Sequence, residues 1–257
     1  MRGPPAPCHN PTRFPASDTG TAARHGLTDF PFDFREDAMD LLLAGLTVLV
    51  IGDSHLATPG YLITTLHDSL ARRGAVVYSY GACGVAAGDW LVAKQSPCGG
   101  AVREDKGPAK KLAGPAAKTI PYPELYRKHR PQLVVVVMGD TMAAYDQPSL
   151  SRTWIWHQVS PLTKAIKASA ASCVWVGPPW GSEGGKFGKT FGRAAEMSGY
   201  LAEIVAPCTY VDSLKMSRKG EWATIDGQHF TSGGYRAWGE AIAAAVASPE
   251  ILGPLRR

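Results

Sequence analysis

Apolar residues in this chain gather in short runs that alternate with longer stretches of helical spacing. Runs rich in Val, Ile and Leu occupy positions 47–51, 75–80, 132–138, 172–176 and 209–211. They are mostly continuously apolar rather than alternating, the pattern of strands covered on both faces in a parallel sheet. Between them, Leu62, Ile63, Leu66 and Leu70 recur at helical spacing and Gly74 follows as a C-cap. Helices are predicted over 59–73, 121–129, 154–171, 190–205 and 231–246, and a short one over 37–43. Strand and helix therefore alternate from 47 to 246. The expectation is an α/β fold, a three-layer doubly wound sandwich around a central parallel sheet of about five strands with right-handed crossovers.

Two stretches escape this pattern. Residues 1–35 are rich in Pro, Gly, Ser, Thr and Ala without periodicity and read as a flexible N-terminal arm. Residues 94–120 carry Lys94, Arg103, Lys106, Lys110, Lys111 and Lys118 among scattered Gly and Pro. They read as a basic, irregular insertion, either a solvated loop or a lip that contacts an anionic polymer. The remainder, 36–257, reads as a single domain. The glycine-rich stretch 181–188 is expected to be a mobile loop.

Composition narrows the function classes. A net charge of +5 over 257 residues is only mildly basic and comes with no nucleic-acid-binding motif, so no nucleic-acid partner is expected. No apolar run approaches the ~20 residues of a membrane span. The N-terminus lacks the apolar centre of an export signal. The five cysteines, Cys8, Cys83, Cys98, Cys173 and Cys208, form no CxxC pair and no metal-ligand spacing with histidine, so no metal is expected. Either Cys83 and Cys98 bridge an irregular stretch, or all five are free, with the strand cysteines serving as small core residues. The oligomeric state is not legible.

The candidate chemistry lies where apolar runs stop. The first ends at Gly52-Asp53-Ser54-His55, placing a serine at the carboxyl end of a strand and beside a helix start, where ligands collect in open α/β sheets. A serine hydroxyl needs a base to act as a nucleophile. Before the last predicted helix stand Asp226 and His229, three residues apart. That spacing lets a carboxylate hold one imidazole nitrogen while the other faces Ser54. His55 is a candidate substrate contact. Trp90 and Trp180 follow strand ends on the predicted active face and are candidates to stack on a sugar ring. His67, His129 and His157 lie within predicted helices and read as surface or structural.

Taken together, Gly52-Asp53-Ser54-His55, Gly81 after the second strand, Gly139-Asp140-Thr141 after the third and Asp226-x-x-His229 resemble the conserved blocks of the SGNH/GDSL hydrolases, in that family's order. The resemblance covers about residues 46–247. It implies a flavodoxin-like sheet, Ser54 as nucleophile, His229 as general base and Asp226 as its orienter, with no cofactor. It also implies an oxyanion hole from the backbone N–H groups of Ser54 and Gly81 and a third-block side chain. There the chain departs from the pattern, because Thr141 stands where the family has asparagine.

The Gly-Asp-Ser-His form of the first block is similar to that of bacterial envelope esterases and O-acetyltransferases. The expected activity is that of a serine esterase removing an acetyl-sized acyl group from a carbohydrate or cell-envelope polysaccharide through an acyl-enzyme. Transfer of the acyl group to a sugar hydroxyl by the same three residues is the alternative within catalysis. A non-catalytic carbohydrate-binding or assembly protein is the alternative outside it, kept open by Thr141. The resemblance favours a periplasmic or secreted location, while the absence of a visible export signal admits a cytoplasmic one.

Overall fold

A computed structural model describes residues 42–256 of the chain. The expected flexible arm, Cys8 and all but the last two residues of the helix predicted at 37–43 lie outside the described residues.

Seven strands form one sheet: β1 (Thr47–Gly52), β2 (Val76–Ala82), β3 (Gly100–Glu104), β4 (Lys110–Leu112), β5 (Leu133–Val137), β6 (Ser172–Val176) and β7 (Thr209–Val211). Their order is β4-β3-β2-β1-β5-β6-β7. The strands β2, β1, β5, β6 and β7 run parallel, which accounts for every run predicted from the apolar pattern. The helices are α1 (Leu62–Arg72), α2 (Tyr122–His129), α3 (Arg152–Ala168), α4 (Phe191–Ile204), α5 (Ser232–Val246) and α6 (Pro249–Leu252). None is long and apolar enough to cross a membrane.

Side-chain alternation along the strands builds two cores. Val48 and Val50 of β1 join Leu62, Leu66 and Leu70 of α1 and Trp238, Ile242 and Val246 of α5 on one face. Leu49 and Ile51 face the other way, against Ile155, Val159, Leu162 and Ile166 of α3 and Met197 and Leu201 of α4. Each such side chain contributes about 1.5–3 kcal/mol on burial. The helices are set by their ends as well as their faces. Thr190 caps α4 by accepting from the Arg193 N–H, and Thr231 caps α5 by accepting from the Gly234 N–H.

The expectation of an irregular insertion is corrected. Within 94–120, β3 pairs antiparallel with β2, and β4 antiparallel with β3, so two strands extend the expected five-stranded sheet at one edge. A Gln95–Lys118 bridge closes the base of the insertion, and the Thr119 hydroxyl sits among the carbonyls of Asp89 and Val92. These strands are held by backbone hydrogen bonds and have no buried apolar pattern to betray them. Lys110 and Lys111 lie on the edge strand, where charge discourages further strand pairing. Arg103 is engaged with Asp68 at 2.6 Å.

Two disulfides staple the sheet. Cys83–Cys98 ties the end of β2 to the insertion, with Cα atoms 5.2 Å apart. Cys173–Cys208 was not expected from the sequence, where the strand cysteines read as small core residues; the pairing of β6 with β7 puts Val174 opposite Thr209 and so brings the two together. Replacing Cys173 and Cys208 by Ala is expected to lower stability by about 2–4 kcal/mol in urea denaturation. An unchanged midpoint would mean that this bridge does not form.

Candidate active site

The end of β1 turns sharply. Asp53 accepts a hydrogen bond from the His55 N–H at 3.2 Å and so starts a 3-10 turn over Ser54–Leu56. Its other oxygen accepts from the Thr141 hydroxyl at 2.9 Å, which joins this turn to the one following β5. Ser54 faces a cavity of about 770 Å³ at the carboxyl end of the sheet.

Beside Ser54, one carboxylate organises a loop and a ring together. Asp226 Oδ1 accepts from the backbone N–H groups of Gln228 (3.1 Å) and His229 (2.7 Å). Asp226 Oδ2 lies 2.8 Å from His229 Nδ1, and His229 Nε2 lies 2.8 Å from Ser54 Oγ. With the proton on Nδ1 held by the carboxylate, Nε2 is free to accept from the serine hydroxyl. Burial and the neighbouring His55 ring lower the His229 pKa below its usual 6.5, while Asp226 opposes the shift. Burial alone would raise the Asp226 pKa, but the hydrogen bonds and charge of His229 hold it below the ordinary value. A group set up in this way can take a proton from Ser54 near neutral pH and return it to a leaving group.

The other expected site residues are placed differently. Gly81 lies inside β2 against the turn that carries Ser54, where an added Cβ would stand 2.2 Å from the Leu56 carbonyl. It is a packing glycine and does not line the Ser54 cavity. Gly84, three residues on at φ +75°, does line it. The Thr141 hydroxyl lines the cavity too, but its single proton goes to Asp53.

His55 is buried and does not line the cavity. Its Nδ1 meets the Tyr235 hydroxyl at 3.0 Å and its Nε2 meets Asp140 at 2.8 Å. Trp90 is 1% exposed, because the chain after β2 folds back in a 3-10 turn and tucks the ring inward. It borders a second cavity of about 490 Å³ beneath the β3–β4 hairpin, and its indole N–H has no hydrogen-bond partner among the described residues. Trp180 points its N–H at the Leu214 carbonyl and packs on Phe191, away from Ser54. Following a strand end thus did not suffice to place a side chain at the site. His67 is satisfied by Ser79 and the Asp105 carbonyl, in keeping with a structural histidine.

Several residues at the site were not singled out in sequence. The buried Lys189 ammonium sits 2.8 Å from both oxygens of the buried Asp140, which lines the cavity. Burial alone would raise the Asp140 pKa, but Lys189 and His55 hold the carboxyl well below its ordinary value. The stretch 181–188 is laced to the loop of Asp226: Ser182 N–H donates to the Gly227 carbonyl and Lys186 N–H to the Asp226 carbonyl, each at 2.9 Å. This lacing uses backbone groups, so composition alone suggested a freer loop. It delivers Phe187, whose ring centre lies 5.5 Å from that of His229. Tyr61 stacks on Tyr235 and lies against His229. Phe187, an aromatic among glycines, and Gln228, inside the Asp-x-x-His motif, carried a signal that could have been read. Lys189 carried none.

Among the described residues no cluster of His, Cys, Asp or Glu has the arrangement of a metal site.

Lys189→Met is expected to cost about 3–5 kcal/mol in urea denaturation, because it strands a buried carboxylate, and a paired Asp140→Leu change to restore much of that loss. If Lys189→Met leaves the midpoint unchanged, the ion pair is not a support of the fold. In a ring-proton NMR titration, His229 is expected to ionise below pH 6.5, and Asp226→Asn to lower the midpoint further, since Asp226 favours the charged ring. A wild-type midpoint above 6.5 would contradict this balance.

Comparison with known proteins places the fold and the family. No protein-family model matches the chain. Among solved structures, the fold is shared with an Agrobacterium tumefaciens protein that carries an arylesterase designation (TM-score 0.54, 17% identity, 78% of this chain and 98% of that one). It is shared also with the acetyl xylan esterase AlAXEase (TM-score 0.53, 13% identity, 78% of this chain and 100% of that one). In sequence, the chain is 44% identical over 214 residues to Protein BcsX of Komagataeibacter xylinus, spanning 83% of this chain and 80% of that protein. The chain therefore belongs to the BcsX family, built on the fold of the SGNH/GDSL hydrolases.

Proposed function

We propose that this protein is a serine esterase that removes an acetyl-sized acyl group from a carbohydrate, with a cell-envelope polysaccharide as the favoured source. The observation that carries this reading is the chain of hydrogen bonds Ser54–His229–Asp226, each side-chain link 2.8 Å long, at the floor of an open cavity. His229 takes the Ser54 proton as Oγ attacks the acyl carbon, then passes it to the departing sugar oxygen. Water, activated by the same imidazole, releases the acyl group from Ser54.

The oxyanion is assigned to the backbone N–H groups of Ser54 and Gly84. Thr141 is not a free donor while it is bonded to Asp53. A missing oxyanion donor typically lowers the rate by about 10²–10³, so a modest turnover number fits this reading. The carbohydrate substrate is supported by the acetyl xylan esterase among proteins of this fold. Two disulfides suit an oxidising compartment, which supports a periplasmic or secreted location over a cytoplasmic one.

Acetate release from an acetylated oligosaccharide is expected for the wild type and is expected to fall to background in Ser54→Ala. Asp226→Asn is expected to reduce kcat by about 10⁴ at most, the effect seen when the orienting carboxylate of such a triad is neutralised. Equal release by wild type and Ser54→Ala would remove the esterase reading and leave sugar binding without catalysis. An arm with an added acceptor saccharide separates hydrolysis from transfer, since transfer would load the acceptor faster than free acetate appears. Because His229 must be neutral to accept a proton, kcat/KM is expected to fall as pH drops through the His229 pKa, below 6.5, and to be level above it through neutrality. An acid limb centred above pH 7 would contradict the assignment of His229 as base.

A further inference from the structure

The chemistry of ester cleavage fixes where the alcohol half of the substrate must lie. When Ser54 Oγ bonds to the acyl carbon, the bond from that carbon to the sugar oxygen breaks. The proton taken up by His229 Nε2 goes to this same oxygen. The departing sugar therefore sits on the His229 side of Ser54, and the residues around His229 are those that meet it.

Two of them present to the cavity contact surface that the protein does not fill. Phe187 is 37% exposed at the cavity wall, with its ring centre 5.5 Å from that of His229. The loop that carries it is hydrogen-bonded to the Asp226 loop, so the ring is held beside the imidazole. Lys186 from the same loop places its ammonium 5.5 Å from the Phe187 ring centre, so a ligand takes the surface that remains.

Gln228 precedes His229, is only 6% exposed and lines the same cavity. Its backbone N–H is used by Asp226. Its side-chain carboxamide makes no hydrogen bond to the protein among the described residues and keeps access to solvent, in a residue that lines the cavity. A carboxamide that the protein leaves free in a residue lining a cavity is available to hydrogen-bond a ligand. A carboxamide presents both donors and an acceptor, as do neighbouring sugar hydroxyls. A phenyl ring presents an apolar face to the C–H face of a pyranose.

We propose that Phe187 and Gln228 form the leaving-sugar subsite: Phe187 is the platform for a pyranose ring, and the Gln228 carboxamide bonds a hydroxyl near the acylated oxygen. The subsite makes the cavity selective for sugar esters over simple alkyl esters. This inference rests on the esterase reading above, and its test separates the two.

Acetate release from acetylated xylo-oligosaccharides and from ethyl acetate is compared for the wild type, Phe187→Ala, Phe187→Tyr and Gln228→Ala. The ratio of kcat/KM, sugar ester over ethyl acetate, is expected to fall roughly five- to tenfold in each Ala variant, the loss of one such contact, and to be retained in Phe187→Tyr. A parallel calorimetric titration of unacetylated xylotriose into Ser54→Ala, with and without each Ala change, reads sugar binding without turnover. A similar five- to tenfold weakening is expected. An unchanged ratio in enzymes that still cleave both esters would overturn the subsite and leave the esterase standing. If the wild type cleaves neither ester, the esterase reading fails and the titration alone decides. Binding that depends on Phe187 and Gln228 then supports the sugar site, and binding that is absent or indifferent to them overturns it.

Discussion

The Asp140 carboxylate is the charge around which the carboxyl end of this sheet is assembled. It is buried, and an isolated buried carboxylate would neutralise or unfold its surroundings. Lys189 and His55 prevent this, each at 2.8 Å. Tyr145 donates to it as well. His55 in turn reaches Tyr235 on α5. One charge thereby connects the turn after β1, the turn after β5, the end of the glycine-rich loop and the helix that follows His229. Such a cluster adds little net stability against a well-packed apolar substitute, but losing one partner strands the others. Its consequence is geometric: the segments bearing Ser54, Phe187 and His229 are all tied to it directly or through one neighbour.

A second carboxylate works on a shorter scale. Asp226 serves its own loop through one oxygen and the imidazole through the other, so loop shape and ring orientation are set together. Asp53 has a similar double use, capping the Ser54 turn and holding Thr141. The Asp53 bond explains why a threonine in place of the family's asparagine does not simply substitute for it. A hydroxyl has one proton, and here it is committed to a carboxylate, whereas an amide has two. Among the described residues, the carboxamide at this cavity without a protein hydrogen bond belongs to Gln228.

The comparison of sequence and structure divides along the origin of each interaction. Strands 47–52 and 133–137 and helix 232–246 were legible because burial on both faces, or on one helical stripe, leaves a repeating apolar record. The strands β3 and β4 leave no such record, being held at a sheet edge by backbone pairing. Gly81 and Gly84 look alike in sequence, yet one is required by contact with Leu56 and the other lines the cavity. Trp90 and Trp180 follow strand ends as expected but turn away from Ser54, since the direction of a side chain after a strand is decided by the loop's path.

By itself the sequence determined the α/β order, the parallel core and the candidacy of Ser54, Asp226 and His229, because local spacing and burial patterns encode these. Tertiary structure decided what depends on residues distant in the chain. It brought His229 Nε2 to within 2.8 Å of Ser54 Oγ across 175 positions. It paired Cys173 with Cys208 across two neighbouring strands. It sank Lys189 onto Asp140 and, among the described residues, left the Gln228 carboxamide without a protein hydrogen bond beside His229. A lone lysine carries no periodicity and no motif, so its partner is settled only when the packed chain encloses it.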